Sequence, residues 1–403
     1  MPKILLITGL VLTILLTGFI GLSKLMSNLM PHHVLVYKKI SEGLALFDTD
    51  LRLRVWLLDE KSINGAPPLN WSPDGKSIAY VANHEGGVIP NWDIYLLSLD
   101  DMQVRNLTHS PTQEFFWQWS PDGKQIAYTA QTRGEGITVI GTELQVMDMA
   151  TGANIPFLSR TGYRVYSPTW SPDGRLLAFV YQAYESSNNS AEMQIIDTLS
   201  GKILVTFAQN FDLQFGWGLA WSPDQKWLAY KYKNEQEIGL HLLEVATGRT
   251  RQLFSPLDVT ASQPAWAPDS QQLAFVNPED RVVVRIVNLK TWEVRKVFQE
   301  NVQSLPTDES NYPPVWSPDG QWLAFVAPIE GMIYGIRQSD GHYTALLSPN
   351  SYIDRDSIVG WLPDSQSLLF TDGLHIYSVN ISNFRITPLM DDYFISNPIL
   401  QPG

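Results

Sequence analysis

The chain has 403 residues, 44% of them hydrophobic, which is ample for a large core. Its formal net charge of −13, with no run of Lys and Arg, opposes binding to nucleic acid or an anionic lipid surface and reads as a solubility charge. There is no cysteine, which excludes a disulfide framework, thiolate metal sites and a thiol nucleophile.

The chain opens with an export signal. After Lys3, residues 4–22 read ILLITGLVLTILLTGFIGL, 19 uncharged residues, close to the roughly 20 that cross a bilayer as a helix. A positive start before an apolar run directs export, and no A-x-A site follows. Residues 1–23 are therefore expected to be an uncleaved signal-anchor helix or, as the alternative, a removed signal peptide. Residues 24–33, KLMSNLMPHH, read as a linker. The rest of the chain would then face the periplasm or the exterior, anchored in the membrane or secreted.

From residue 34 the sequence turns to short alternating strands. VLVY, GLALFDTD and LRLRVWLL lie within residues 34–60 and match the second, third and fourth strands of a unit whose first strand is missing. A full unit then recurs. WSPDGKSIAYVA begins at Trp71 and has counterparts at Trp119, Trp170, Trp221, Trp266, Trp316 and Trp361, at spacings of 48, 51, 51, 45, 50 and 45 residues. A fixed period of this size means repeat architecture. Each unit carries four strand signals with period-2 alternation and turn residues between them. Pro and Asp of the first turn are kept in every copy, the aspartates being Asp74, Asp122, Asp173, Asp224, Asp269, Asp319 and Asp364. Gly closes the turn in four copies. Gln225, Ser270 and Ser365 replace it in the others, where strain or a somewhat different turn is expected. The Trp, a small residue such as Ala79 or Ala178, and the following Tyr or Phe are expected to pack sheet against sheet.

Four-stranded antiparallel sheets at this period predict an all-β β-propeller. The pattern W-S-P-D-G-x-x-[IL]-A-[FY], then I-Y-x-x-D, then a terminal L-T resembles the TolB-like, WD-type propeller repeat, which also occurs in the propellers of prolyl oligopeptidase-like peptidases. The resemblance covers residues 34–403. SNPILQPG at the C-terminus resembles a first strand and its turn, so it is expected to complete the blade begun at residue 34 and close the ring. Eight blades are expected, with seven as the alternative.

Function is expected on the face with long, varied loops. Glu114, Phe115, Phe116, Tyr163, Arg164, Phe215, Trp217, Tyr312, Asp354 and Asp356 are the candidate binding residues, because aromatics beside polar groups suit protein, peptide or glycan contact. Trp117 reads as a second packing Trp. No G-x-S-x-G, Walker loop, G-x-G-x-x-G or H-E-x-x-H is present. His241 and His375 are placed at one variable third-strand position with Tyr95, Gln145, Gln194, Arg285 and Tyr334, which is not a ligand cluster; no metal or cofactor is expected. The resulting expectation is a non-catalytic envelope scaffold that binds a protein or peptide. The alternative is a propeller hydrolase or lyase, or a carbohydrate-binding module, using residues at the channel mouth drawn from Glu114, Arg133, Glu143, Arg164, Asp212, Asp354 and Asp356.

Overall fold

The computed structural model describes residues 34–39, 42–50, 52–59, 69–83, 91–133, 139–158, 162–183, 190–211, 219–233, 238–257, 261–277, 281–301, 313–327, 332–346, 358–371, 375–391 and 395–400. The leader, the linker and the candidates Phe215, Trp217, Tyr312, Asp354, Asp356 and Asp212 lie outside them. Among the described residues no helix is long and apolar enough to cross a membrane. The strands form eight four-stranded antiparallel sheets, the blades of an all-β propeller. They fall into two compact units, Met1–Pro111 with Phe394–Gly403, and Thr112–Tyr393.

The first unit holds blades 1 and 2. In blade 1, Val34–Lys39, Gly43–Asp48 and Leu53–Asp59 follow in order, and Ile395–Leu400 pairs antiparallel with Val34–Lys39. Blade 2 spans Leu69–Asn106. Val36 and Leu46 of blade 1 pack with Trp71, Ile78 and Tyr80 of blade 2. Asp93 anchors the end of blade 2's fourth strand: it accepts from Asn106 Nδ2 (2.7 Å), Thr108 Oγ1 (3.1 Å) and the Ser110 N–H (3.1 Å).

The second unit holds blades 3 to 8, which start at Glu114, Tyr163, Ala220, Ala265, Val315 and Ile358. Their packing follows the repeat. Ala127 of blade 3 lies in a cluster with Trp170, Leu177 and Phe179 of blade 4, and Ala178 of blade 4 with Trp221, Leu228 and Tyr230 of blade 5. The same exchange joins Ala229 to Phe275, Ala274 to Phe325 and Ala324 to Phe370. The alanine side of one sheet receives the aromatic side of the next because a large and a small residue alternate at fixed positions. A row of indole hydrogen bonds runs along the same seams. Nε1 of Trp170, Trp221, Trp266, Trp316 and Trp361 donates to the carbonyl of the residue before the preceding blade's Trp, at 3.0–3.2 Å.

The Ser-Pro-Asp-Gly turn is a small hydrogen-bonded knot. Ser72 Oγ donates to Asp74 Oδ1 (2.6 Å) and accepts from the Ser77 N–H (2.9 Å). Ser120, Ser171, Ser222 and Ser317 repeat the donation to their aspartates. The copies without Gly keep the same turn: φ is +64° at Gln225, +60° at Ser270 and +54° at Ser365, against +67° at Gly75. An L-residue there costs roughly 1–2 kcal/mol. Each replacement makes a bond that glycine cannot. Ser270 Oγ accepts from the Asp224 N–H (2.9 Å) and Ser365 Oγ from the Asp319 N–H (3.1 Å), both in the preceding blade. The Gln225 amide nitrogen, oriented by its partner, donates to both carboxylate oxygens of Asp173 (2.9 and 3.1 Å). The turns are therefore strained but not different, and the strain is offset by a tie between blades.

One sequence placement needs correction. His375 does not share the position of His241: it lies opposite Asp391, while Tyr377 lies opposite Phe370 and stacks on it at 5.2 Å. Tyr377 thus takes the place that Tyr95 holds over Tyr80 and Tyr334 over Phe325.

Candidate functional site

Blades 3 and 4 depart most from the repeat where their first strands begin. Blade 3's first strand, Glu114–Trp119, bulges between Phe115 and Gln118. Inside the bulge Phe116 takes a φ of +43° and leaves its ring 53% exposed. A bulky residue with positive φ is an outlier, and bulges re-aim side chains beside functional surfaces. Trp117, next to it, is buried, as expected of a packing Trp. Blade 4's first strand, Tyr163–Trp170, also bulges, between Tyr166 and Thr169. The two irregular strands bring Phe116 and Tyr166 to 6.4 Å between ring centroids.

The second and third strands of blade 3, Gln125–Arg133 and Val139–Asp148, form a long hairpin that reaches onto blade 4. The Val165 N–H donates to Thr142 Oγ1 (2.6 Å) and the Gly162 N–H to the Ile140 carbonyl (2.9 Å). Gly141 permits this approach, since a Cβ there would lie 2.5 Å from the Tyr163 carbonyl oxygen. Gln131 of the hairpin donates through Nε2 to Gln113 Oε1 (3.2 Å). Amide groups thus sit beside the exposed Phe115.

Beneath Tyr163 lies a pair that the sequence did not single out. Tyr181, 3% exposed, packs its ring against Tyr163 at 5.8 Å. Its hydroxyl donates to Glu192 Oε2 and accepts from Gln194 Nε2 (3.4 Å). Tyr181 occupies the second-strand place held by Ala82, Ala130 and Ala327 in blades 2, 3 and 7. Blade 5 also has a tyrosine at this place, Tyr232, so no residue type in the sequence set Tyr181 apart; its carboxylate partner does. A phenol and a carboxylate joined by a hydrogen bond form a proton-donating and a proton-accepting group in one reach.

The other candidates are placed as follows. Arg164 is exposed and Tyr163 half-buried. Glu114 is 2% exposed, so it is not on the surface with its neighbours. Glu114, Ala130 and Glu143 are directly opposed across three strands and lie on one face of blade 3, which puts the two glutamate Cα atoms about 9–10 Å apart. Glu143 Oε2 accepts from Gln145 Nε2 (2.8 Å). Tyr128 neighbours both carboxylates: burial pushes its hydroxyl well above the usual phenol range, and the negative charges of Glu114 and Glu143 push it further. Arg133 ends blade 3's second strand. Among the described residues no three His, Asp or Glu side chains are grouped to hold a metal ion.

No family model matches the chain. It is 30% identical over 200 residues to dipeptidyl-peptidase 5 of Porphyromonas gingivalis, a stretch that is 48% of this chain and 21% of that protein. The chain therefore spans about a fifth of this curated relative. Among solved structures, an oligogalacturonate lyase from Vibrio parahaemolyticus is 14% identical, with 87% of this chain and 98% of that one covered and a TM-score of 0.53. A dihydro-heme d1 dehydrogenase in complex with DHE is 15% identical, with coverages of 92% and 76% and a TM-score of 0.57. At these identities the structural likeness shows a shared propeller fold. The curated relative is a peptidase and the similar propellers belong to enzymes. This overturns the expectation of a non-catalytic envelope scaffold, and with it the expectation that the chain is not an enzyme.

Proposed function

We propose that the chain is a propeller enzyme of the hydrolase or lyase class that cleaves an oligosaccharide at the blade 3–blade 4 surface. The observation that carries this is the Tyr181–Glu192 pair lying under Tyr163. Exposed rings flanked by a few polar groups suit the faces and edges of sugar rings. Phe115 and Phe116 supply apolar surface, and Gln113 and Gln131 supply amides. In cleavage by elimination, one group takes the ring proton next to the substrate carboxylate and another returns a proton to the departing oxygen. In hydrolysis, the acid protonates the departing oxygen and the base takes a proton from water. Glu192 as base and Tyr181 as acid satisfy either balance. The lyase named above supports the reading because nearly its whole chain aligns with this one.

Three finer points belong to the same proposal. The W-S-P-D-G repeat supports a place for the chain among TolB-like propellers. The pairing of Ile395–Leu400 with Val34–Lys39 supports closure of the propeller by its terminal strands. The apolar run of residues 4–22 sends the propeller out of the cytoplasm, so the substrate is an envelope or external glycan.

The test is turnover of oligogalacturonate, followed by ultraviolet absorbance of the new double bond, and of neutral oligosaccharides, followed by reducing ends. Tyr181→Phe keeps the ring and is expected to lower turnover by about 100-fold or more while the melting profile stays intact. Unchanged turnover in that variant removes the pair from the chemistry. Cleavage of dipeptidyl chromogenic substrates and of no glycan would favour the second reading, a peptide hydrolase, which the 200-residue similarity to a dipeptidyl peptidase supports.

A further inference from the structure

The outer edges of the blades differ in one respect that bears on assembly. An edge strand offers unpaired backbone groups to another strand, and proteins block this with charge, proline, shortness or bulges. The fourth strands of blades 1, 5 and 6 read LRVWLLD, TRQLF and EVRKVFQEN, each with charged residues. Those of blades 3 and 8, NIPFL and RITPLMD, contain proline. Those of blades 2 and 7, VRN and YTA, have 3 residues. Blade 4 ends in Ile203–Asn210, ILVTFAQN, with 8 residues, no charge and no proline. Its bulge is displaced to Leu204, so Val205–Asn210 pairs without a break against Ser190–Ile195. In blades 1, 3, 5, 6 and 8 a shift interrupts the ladder nearer its middle or after fewer pairs. Exposed aliphatic side chains cluster here as well: Leu199 is 85% exposed, Ile203 50% and Leu204 47%.

We propose that this edge is an interface on which a second copy of the chain docks, the two Ile203–Asn210 strands pairing antiparallel about a two-fold axis. Charge favours a copy of the same strand as occupant. The chain carries a net charge of −13, which opposes self-association over most of its surface, and this strand meets its copy with no charge on either side. An antiparallel pairing with Val205 opposite its own copy sets Leu204 against Thr206 and Ile203 against Phe207, apolar and β-branched pairs on matching faces. Each of the other fourth strands of at least five residues would bring charges or a proline to such a pairing.

The chain has no cysteine, so a single introduced one reports cleanly. The full chain, in mild detergent, is labelled with a nitroxide at Thr206→Cys or, as a control on the preceding blade's outer strand, at Ile155→Cys. Spin–spin broadening is expected at position 206, lost on dilution with unlabelled protein, and absent at position 155. The Leu204→Lys/Thr206→Lys variant, changed at two exposed positions, is expected to keep its circular dichroism and to sediment as a monomer where the unaltered chain sediments as a dimer. A monomeric unaltered chain without broadening overturns the proposal. So does a dimer that survives the lysine variant, or an edge that becomes occupied only when another protein or an extended peptide is added.

Discussion

Ser270 allows the strain and the interblade tie at the first turn to be measured separately. Its φ is +60° and its Oγ accepts from the Asp224 N–H at 2.9 Å. Ser270→Ala removes the acceptor of this part-buried hydrogen bond, which costs about 0.5–1.5 kcal/mol. The left-handed strain remains, because alanine also has a Cβ. Ser270→Gly loses the same acceptor but releases about 1–2 kcal/mol of strain, against about 0.5–1 kcal/mol of added chain entropy in the unfolded state. Glycine should therefore be the milder change, by roughly 0.5–1 kcal/mol on those same terms. The reverse substitution completes the test. At Gly320 a Cβ would stand 3.5 Å from Pro268 Cδ, an ordinary contact. Gly320→Ser can thus form the same tie to the preceding turn and should lie within about 1 kcal/mol of neutral, whereas Gly320→Ala bears the whole strain of about 1–2 kcal/mol. Urea midpoints at constant m-value read all four. A Ser270→Gly protein as unstable as Ser270→Ala, or a neutral Ser270→Ala, would refute the argument.

Trp316→Phe removes the indole N–H that reaches the Ala265 carbonyl at 3.0 Å and leaves a small void; a loss of about 2–4 kcal/mol is expected from thermal and urea unfolding. Arg251→Ala uncovers the Trp292 ring, over which the guanidinium lies at 3.8 Å, and should cost about 0.5–1 kcal/mol with a red shift in tryptophan emission. Acid should act through the third-to-fourth strand turns. The Asp197 carboxyl is held down at about 2 by the Ser200 N–H, the Arg175 guanidinium and the Ser200 hydroxyl, and that of Asp340 at about 2 by Arg337 and the His342 N–H. Both values lie below the unfolded carboxylate value of about 3.9. Their contribution is present above about pH 4 and lost as pH falls towards 2, so the urea midpoint should drop across that window and drop less in Asp197→Asn.

The fold was legible because each blade restates the others. The aromatic of VLVY aligned Val34–Lys39 with a second strand although its blade lacks W-S-P-D-G, and eight sheets result. The motif also held the means to avoid the His375 error, since I-Y-x-x-[DN] fits Ile376 to Asn380 and puts Tyr377 opposite Phe370. Turn chemistry was read only by half. All eight third-to-fourth turns place a residue with positive φ at the same step, but it is Arg52, Met102, Trp292 and Phe384 in four of them, where glycine is the usual signal. Phe115 and Phe116 lie within the first strand Glu114–Trp119, and the bulge there leaves both exposed. The burial of Glu114 was not legible, because strand register decides which of two adjacent residues turns inwards, and a bulge changes that parity.

A repeat protein offers an internal control that most folds lack. Each position has up to seven counterparts, and packing explains whatever recurs. The recurrent Trp, Ala and aromatic residues build seams between sheets, so their chemistry is used up in standing the fold. What remains for function lies where one blade alone breaks the rule. Phe116 breaks it with a positive φ that no other first-strand aromatic shows. Tyr181 breaks it by turning its hydroxyl onto Glu192, and Ile203–Asn210 breaks it by keeping a long uncharged edge. Each departure costs something the repeat had solved: backbone strain, a buried polar pair, an open strand. All three sit on blades 3 and 4. Strained residues elsewhere, such as Arg52, Ser270 and Phe384, fall at recurring turn steps and so belong to the repeat; the departures on blades 3 and 4 do not recur, and a cost the repeat does not share calls for a local reason.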